Sequence, residues 1–238
     1  MNIEILLSKS INKFKETIQT IAPLIILYTI LSYLFTPPIL RSYQLEQNFE
    51  LIANQIKSQD IIFSILLIAI FNLYTIVINQ FIFINIKKTI FKLSDTLSLL
   101  VLLFIIYLIL CISFIVMIFI FPIPDLVLIL LVMLYVALFF TLYVKIDYNK
   151  SYMESFIIAY MLFTNNITSI LKLILMHGLA LILITYGMVM VGLIATQILG
   201  ALSIVVINIL FYFASYLLSI IWIYFYFTLN KDFITNKK

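Results

Sequence analysis

Charge is scarce in this chain. Only 10% of its 238 residues are Asp, Glu, Lys or Arg, and 65% are hydrophobic. A soluble domain carries roughly 25–35% charged residues on its surface, so this composition excludes a water-exposed globule and makes lipid the natural solvent. Histidine and cysteine occur once each, as His177 and Cys111. A single histidine excludes a multi-histidine metal site. A single cysteine excludes an internal disulfide and leaves the redox compartment open. Cys111 lies in an apolar run and reads as a small buried or lipid-facing thiol. Only four glycines occur, Gly178, Gly187, Gly192 and Gly200, all in one stretch. There is no phosphate-cradling glycine loop and no serine elbow. The first 20 residues are amphipathic and have no short apolar core before a small-residue cleavage site, so no cleavable leader is expected. Lipidation signals are absent as well.

What the chain does have is six apolar runs: Ile21–Pro38, Ile61–Asn85, Ser98–Phe121, Asp125–Ile146, Leu171–Ala195 and Ser203–Leu229. A span needs about 20 apolar residues, so the length suits one membrane domain over residues 1–238 and leaves no room for a separate soluble catalytic domain. The fold class is all-α: a polytopic bundle of six transmembrane helices with short interfacial amphipathic helices. Pro37-Pro38 ends the first run, since proline cannot continue a helix. Pro122-Ile123-Pro124 turns the chain between spans three and four, and Gln197 to Gly200 between five and six.

Basic residues segregate by side. Lys9, Lys13, Lys15, Lys87, Lys88, Lys92, Lys145, Lys150, Lys172, Lys231, Lys237 and Lys238 fall on one side, and only Arg41 and Lys57 on the other. Cytoplasmic loops collect Lys and Arg, so both termini are expected in the cytoplasm. Trp222, Tyr224, Tyr226 and Phe227 before Lys231, and Tyr143 before Lys145, read as interfacial aromatic belts.

The cytoplasmic segments resemble one another. Ile11, Phe14, Ile18 and Ile21 share a helical face beside Lys9, Lys13 and Glu16. Ile86, Ile90 and Leu93 do so beside Lys87, Lys88 and Lys92, and Tyr152, Phe156, Ala159, Phe163 and Ile167 follow at spacings of three and four. Ser151 with Glu154 reads as a capping box that starts this third helix. Such helices lie in the interface, with lysines toward anionic headgroups. The pattern predicts three repeats, 1–85, 86–146 and 147–238, each an interfacial helix followed by a helical hairpin. On the outer side, Leu45, Phe49, Ile52 and Ile56 mark a surface helix within 39–60.

The spans themselves carry no charge at mid-depth, which argues against a proton-driven pump and leaves a passive or lipid-handling role. Asn72, Asn79 and Gln80 in span two either line a polar cavity or hydrogen-bond between helices. Thr185 and Asn208 are further polar positions, and His177 reads as an interfacial or interhelical hydrogen-bonding group. The glycines make span five the expected tightest-packed helix or a hinge, with Ser215 and Ser219 suited to a facing groove. Asn166-Ile167-Thr168 matches a glycosylation sequon but falls on the cytoplasmic side, where it is not used.

Asp147, Lys150, Ser155-Phe156, Thr164 and Asn166 ahead of span five, with the Pro122 turn and the aromatic stretch Tyr224–Phe227, resemble the YciC-like family of bacterial inner-membrane proteins. Here Ile123 stands where that family has glycine after the turn proline. The repeat pattern is also similar to the membrane domain attached to some glycerophosphodiester phosphodiesterases. The family resemblance implies six spans in the inner membrane and supplies no catalytic residues. The expected role is non-enzymatic and either envelope- or lipid-associated, with Lys13, Lys87, Lys88, Lys92 and Lys150 as the interfacial, lipid-contacting residues. A permease-like transport subunit is the alternative. Membrane lipids are the expected partners, alongside other inner-membrane proteins. No cofactor, metal or nucleic acid is expected.

Overall fold

A computed structural model describes residues 3–37, 57–88, 92–120 and 124–235. Seven α-helices follow in order: α1 Ile3–Leu34, α2 Ser58–Lys87, α3 Leu93–Ile120, α4 Pro124–Tyr148, α5 Tyr152–Asn165, α6 Ile167–Leu199 and α7 Ser203–Thr235. A short 3-10 turn, Gly200–Leu202, joins the last two. There is no strand among the described residues. Six of the helices, all but α5, are long and apolar enough to cross a membrane. At 1.5 Å per residue the 14 residues of α5 extend only about 21 Å, short of the roughly 30 Å hydrocarbon core. The chain is a multi-pass membrane protein built as a helical bundle.

Three helices start on the same device. An acidic side chain one turn in reaches back to the backbone N–H of the residue before or at the first turn, satisfying a donor that the helix leaves orphaned. Lys57 N–H donates to Asp60 Oδ2 at 3.0 Å, Lys92 N–H to Asp95 Oδ2 at 2.8 Å, and Ser151 N–H to Glu154 Oε2 at 3.2 Å. Only in α5 is the box reciprocal, with Glu154 N–H donating to Ser151 Oγ at 3.3 Å. Asn166 closes α5, its backbone N–H donating to the Phe163 carbonyl at 3.2 Å. The sequon asparagine is thus a helix cap.

The chain divides into two compact units whose boundaries fall inside α1, α2, α6 and α7. Unit one holds residues 1–10, 76–176 and 219–238. Its central element is the C-terminal half of α4, which packs on α3 and α5 and buries Phe140, Thr141, Leu142, Tyr143 and Val144 almost completely. Unit two holds 11–75 and 177–218. Its core is a ring cluster: Tyr74 meets Tyr28 edge-on at 5.1 Å and Tyr212 at 4.5 Å. Hydroxyls buried with the rings are paired. Tyr74 OH donates to the Tyr212 carbonyl at 2.6 Å, Ser32 pairs with Tyr212 OH, and Thr17 with Tyr216 OH. Aromatic pairs of this geometry add about 0.5–1.5 kcal/mol each beyond area burial.

Several expectations are corrected. The first amphipathic stretch is no separate helix. It runs unbroken into span one as the 32-residue α1, because nothing between Lys15 and Ile21 interrupts helical hydrogen bonding, and Pro23 sits inside the helix. Of the second stretch, residues 89–91 lie outside the described residues; on either side of them Lys87 ends α2, Lys88 takes a left-handed φ of 56°, and Leu93 begins α3. Among the described residues only the third forms a distinct helix, and it is rotated from the expected face. Ser155, Ala159, Leu162 and Phe163 are buried, while Met153, Ile157, Tyr160 and Met161 are exposed. Tyr143 and Tyr226 are not belt residues but core, each almost wholly buried. Span five is not the tightest helix. Only 11% of its most apolar window is buried, the least of the six. Gly178 and Gly187 face open space, and Gly192 alone packs closely, a Cβ there lying 2.9 Å from Ile207 Cδ1. Cys111 is exposed on α3. The expected surface helix around Leu45 to Ile56, the Pro122 turn, Ile90 and Lys237-Lys238 lie outside the described residues.

Candidate functional site

The expected site residues separate into three groups. Lys13 lies in unit two and pairs with Glu16 one turn on, at 3.2 Å, as a surface ion pair. Asn72 is half-buried in unit two, whereas Asn79 and Gln80 belong to unit one, so the expected polar strip straddles the unit boundary. Lys87, Lys88, Lys92 and Lys150 all belong to unit one and gather at the end where α2 turns into α3 and α4 into α5.

At that end lies a buried carboxylate. The Asp147 side chain is fully buried in the last turn of α4, while the Lys87 side chain bonded to its Oδ1 is 39% exposed. Two further donors reach Oδ2: Tyr226 OH at 2.9 Å and Asn230 Nδ2 at 3.2 Å. Both come from one face of α7, being four residues apart. Asn230 is itself held by Tyr148. Its Nδ2 lies 2.7 Å from the Tyr148 hydroxyl, which donates to Asn230 Oδ1 at 2.9 Å. The Lys87 ammonium sits over the ring of Phe227 at 4.9 Å and that of Tyr148 at 5.9 Å. A buried charge must be paired and hydrogen-bonded to persist, and Asp147 meets both conditions. Below the pair, Phe83 packs against Tyr143, Tyr226 and Phe227 and seals the site from the bundle interior.

Pairs 83 with 143 and 87 with 147 show that α2 and α4 run parallel, offset by sixty residues. Asn79, two turns deeper on the ridge of Phe83 and Lys87, is wholly buried. Its carboxamide has no hydrogen-bond partner among the described residues. Gln80 Oε1 accepts from Thr96 Oγ1 at 3.1 Å, but its Nε2 is unpartnered, as is Thr141 Oγ1.

The lysines around this centre form no further ion pair among the described residues. Asp95 and Glu154 are engaged at helix starts and Asp147 by Lys87. Lys88, Lys92 and Lys150 are exposed and form no ion pair among the described residues. Lys145 turns inward, its ammonium donating to the Lys150 carbonyl and lying 5.2 Å from the Tyr152 ring, while Tyr152 OH pairs with Ser98 Oγ at 2.9 Å. Glu154 is fully exposed. The Ser151 hydroxyl, then the Ser151 backbone N–H, then Lys150 hold its carboxyl below the ordinary glutamate value.

Sequence reading found the lysines but missed the Asp147 centre. The pairing spans sixty residues and joins three helices. The available signal was that Asp147 is the only carboxylate between Asp125 and Glu154, amid lysines, and that Tyr226 and Asn230 share a helical face. Compared with protein-family models, curated proteins and solved structures, the chain matches none.

Proposed function

We propose that this is a bacterial inner-membrane protein of YciC-like type with both termini cytoplasmic, and that its role is non-enzymatic: it engages the anionic phospholipids of the cytoplasmic leaflet. The observation that carries the reading is the set of exposed lysines Lys88, Lys92 and Lys150 at one end of unit one, none of them in an ion pair among the described residues. Beside them, α5 exposes Met153, Ile157, Tyr160 and Met161. An apolar helix face next to unpaired lysines is the composition of an element lying in a headgroup layer. Each such lysine contributes about 1 kcal/mol near an anionic surface.

The test is retention of phosphatidylglycerol by protein released from mixed-lipid nanodiscs, read by native mass spectrometry. Replacing Lys88, Lys92 and Lys150 with Gln together removes up to about 3 kcal/mol, a loss on the order of 100-fold in affinity. Unchanged retention would sink the lipid reading. Orientation is checked separately on a Cys111→Ala background: an impermeant thiol reagent applied from outside labels Gln47→Cys and spares Asn149→Cys. The reverse pattern places the termini outside.

A further inference from the structure

The Asp147 centre separates into a host and a guest. The host is built by α4 and α7 alone. Asp147, Tyr148, Tyr226 and Asn230 are cross-tied between the two helices by four hydrogen bonds that do not involve α2, and Phe227 packs beside Tyr226. The guest is the Lys87 ammonium. It belongs to the last residue of α2, is followed by the left-handed Lys88, and rides on a flexible four-carbon stem that is partly in solvent. Asp147 Oδ2 is already satisfied by two donors, so Oδ1 is the position that takes a cation. The faces of Phe227 and Tyr148 flank that position. A buried carboxylate walled by aromatic faces is the chemistry that receives an ammonium, through charge and the ring quadrupole together.

We propose that Asp147, Tyr148, Tyr226 and Phe227 form a primary-ammonium socket, filled by Lys87 when no ligand is present and entered by the ethanolamine phosphate headgroup of a phospholipid. The inference extends the lipid reading above from anionic phospholipids to a zwitterionic one, and rests on it for the placement of this end of unit one in the headgroup layer. On entry, the headgroup ammonium takes the place of Nζ on Oδ1. The displaced Lys87, with Lys88 beside it in sequence, then offers its own ammonium to the headgroup phosphate. The exchange conserves charge at the site: one ammonium leaves the carboxylate as another arrives, and the released lysine pairs with the phosphate. No covalent bond changes.

The experiment uses the full chain in nanodiscs. Lys87→Met leaves Asp147 buried without its cation and lowers the unfolding temperature by roughly 5–10 °C. Ethylammonium chloride restores that loss saturably, sodium or tetramethylammonium chloride at equal concentration does not, and in the Lys87→Met, Asp147→Asn double variant the rescue disappears. The lipid arm compares phosphatidylethanolamine retained from mixed nanodiscs. Lys87→Met retains more than wild type, and Asp147→Asn, which keeps Lys87 and the host's shape, retains less. Should Lys87→Met fail to fold, Asp147→Asn alone decides, since undiminished phosphatidylethanolamine retention in it overturns the proposal. Equal rescue by all three salts also overturns it. Rescue by ethylammonium with no difference in lipid retention overturns the headgroup assignment and leaves a free amine as the occupant. Loss of phosphatidylglycerol binding in the triple lysine variant tests the earlier reading and does not bear on this socket.

Discussion

Replacing Asn79 with Leu should stabilise the protein. Asn79 is wholly buried on α2, and neither its Oδ1 nor its Nδ2 has a partner among the described residues. A buried polar group left without a hydrogen bond costs roughly 1–3 kcal/mol, and more in hydrocarbon-like surroundings. Leucine has the same branching at Cγ and replaces both polar atoms with methyl groups among Ile76, Ile78, Ile82 and Phe83, all buried at neighbouring positions. The expected gain is about 1–3 kcal/mol, or roughly 2–10 °C in unfolding temperature for a chain of this size. Gln80→Leu is the internal control. It removes one orphaned donor but also breaks the 3.1 Å bond to Thr96, worth roughly 0.6 kcal/mol between membrane helices, so its gain is smaller. The assay is thermal unfolding in detergent micelles followed by fluorescence of Trp222. An Asn79→Leu protein that melts well below wild type would falsify the account, because an orphaned carboxamide cannot be worth more than the leucine that replaces it.

Other substitutions separate the remaining forces. Tyr226→Phe deletes the 2.9 Å donor to Asp147 and costs about 1.5–3 kcal/mol by chemical denaturation, since the lost bond is to a charged group. Gly200 sits at φ +56°, so Gly200→Ala costs roughly 1–2 kcal/mol, whereas Gly187→Ala, with open space at its Cβ, gains about 0.5–1 kcal/mol; equal effects at the two positions would refute the backbone assignment. Glu154 is held below 4.5 in the folded chain, so its capping contribution is fully present above that value and fades as pH falls through the lower folded value. The protection factors of amides at the start of α5, taken relative to the intrinsic exchange rate at each pH, should therefore fall as pH drops below 4.5 in wild type and show no such step in Glu154→Gln.

The six spans were legible because each is a run of apolar residues longer than a bilayer needs, a signal carried by composition alone. The α5 start was legible because Ser151 and Glu154 sit at the spacing of a reciprocal cap. The same device at Lys57/Asp60 and Lys92/Asp95 escaped notice, since lysine is not a capping residue type and only the acidic half of the box is present. Tyr143 and Tyr226 were misplaced for a related reason. An aromatic residue just inside a basic flank looks alike whether it faces headgroups or a buried carboxylate, and only the partner helix distinguishes the two. The glycines of α6 misled in the opposite sense. Small residues permit close packing but do not recruit a neighbour, and within unit two only Gly192 meets one, through Ile207.

The continuity of α1 has a mechanical consequence. Its 32 residues extend about 48 Å, some 18 Å more than the hydrocarbon thickness. Lys13 and Lys15, on the part of α1 that belongs to unit two, therefore ride on continuous helix and not on a tether. A thicker or thinner bilayer that retilts this helix must carry both charges with it through the headgroup layer. Membrane thickness and surface charge then act on one and the same coordinate, the tilt of one helix.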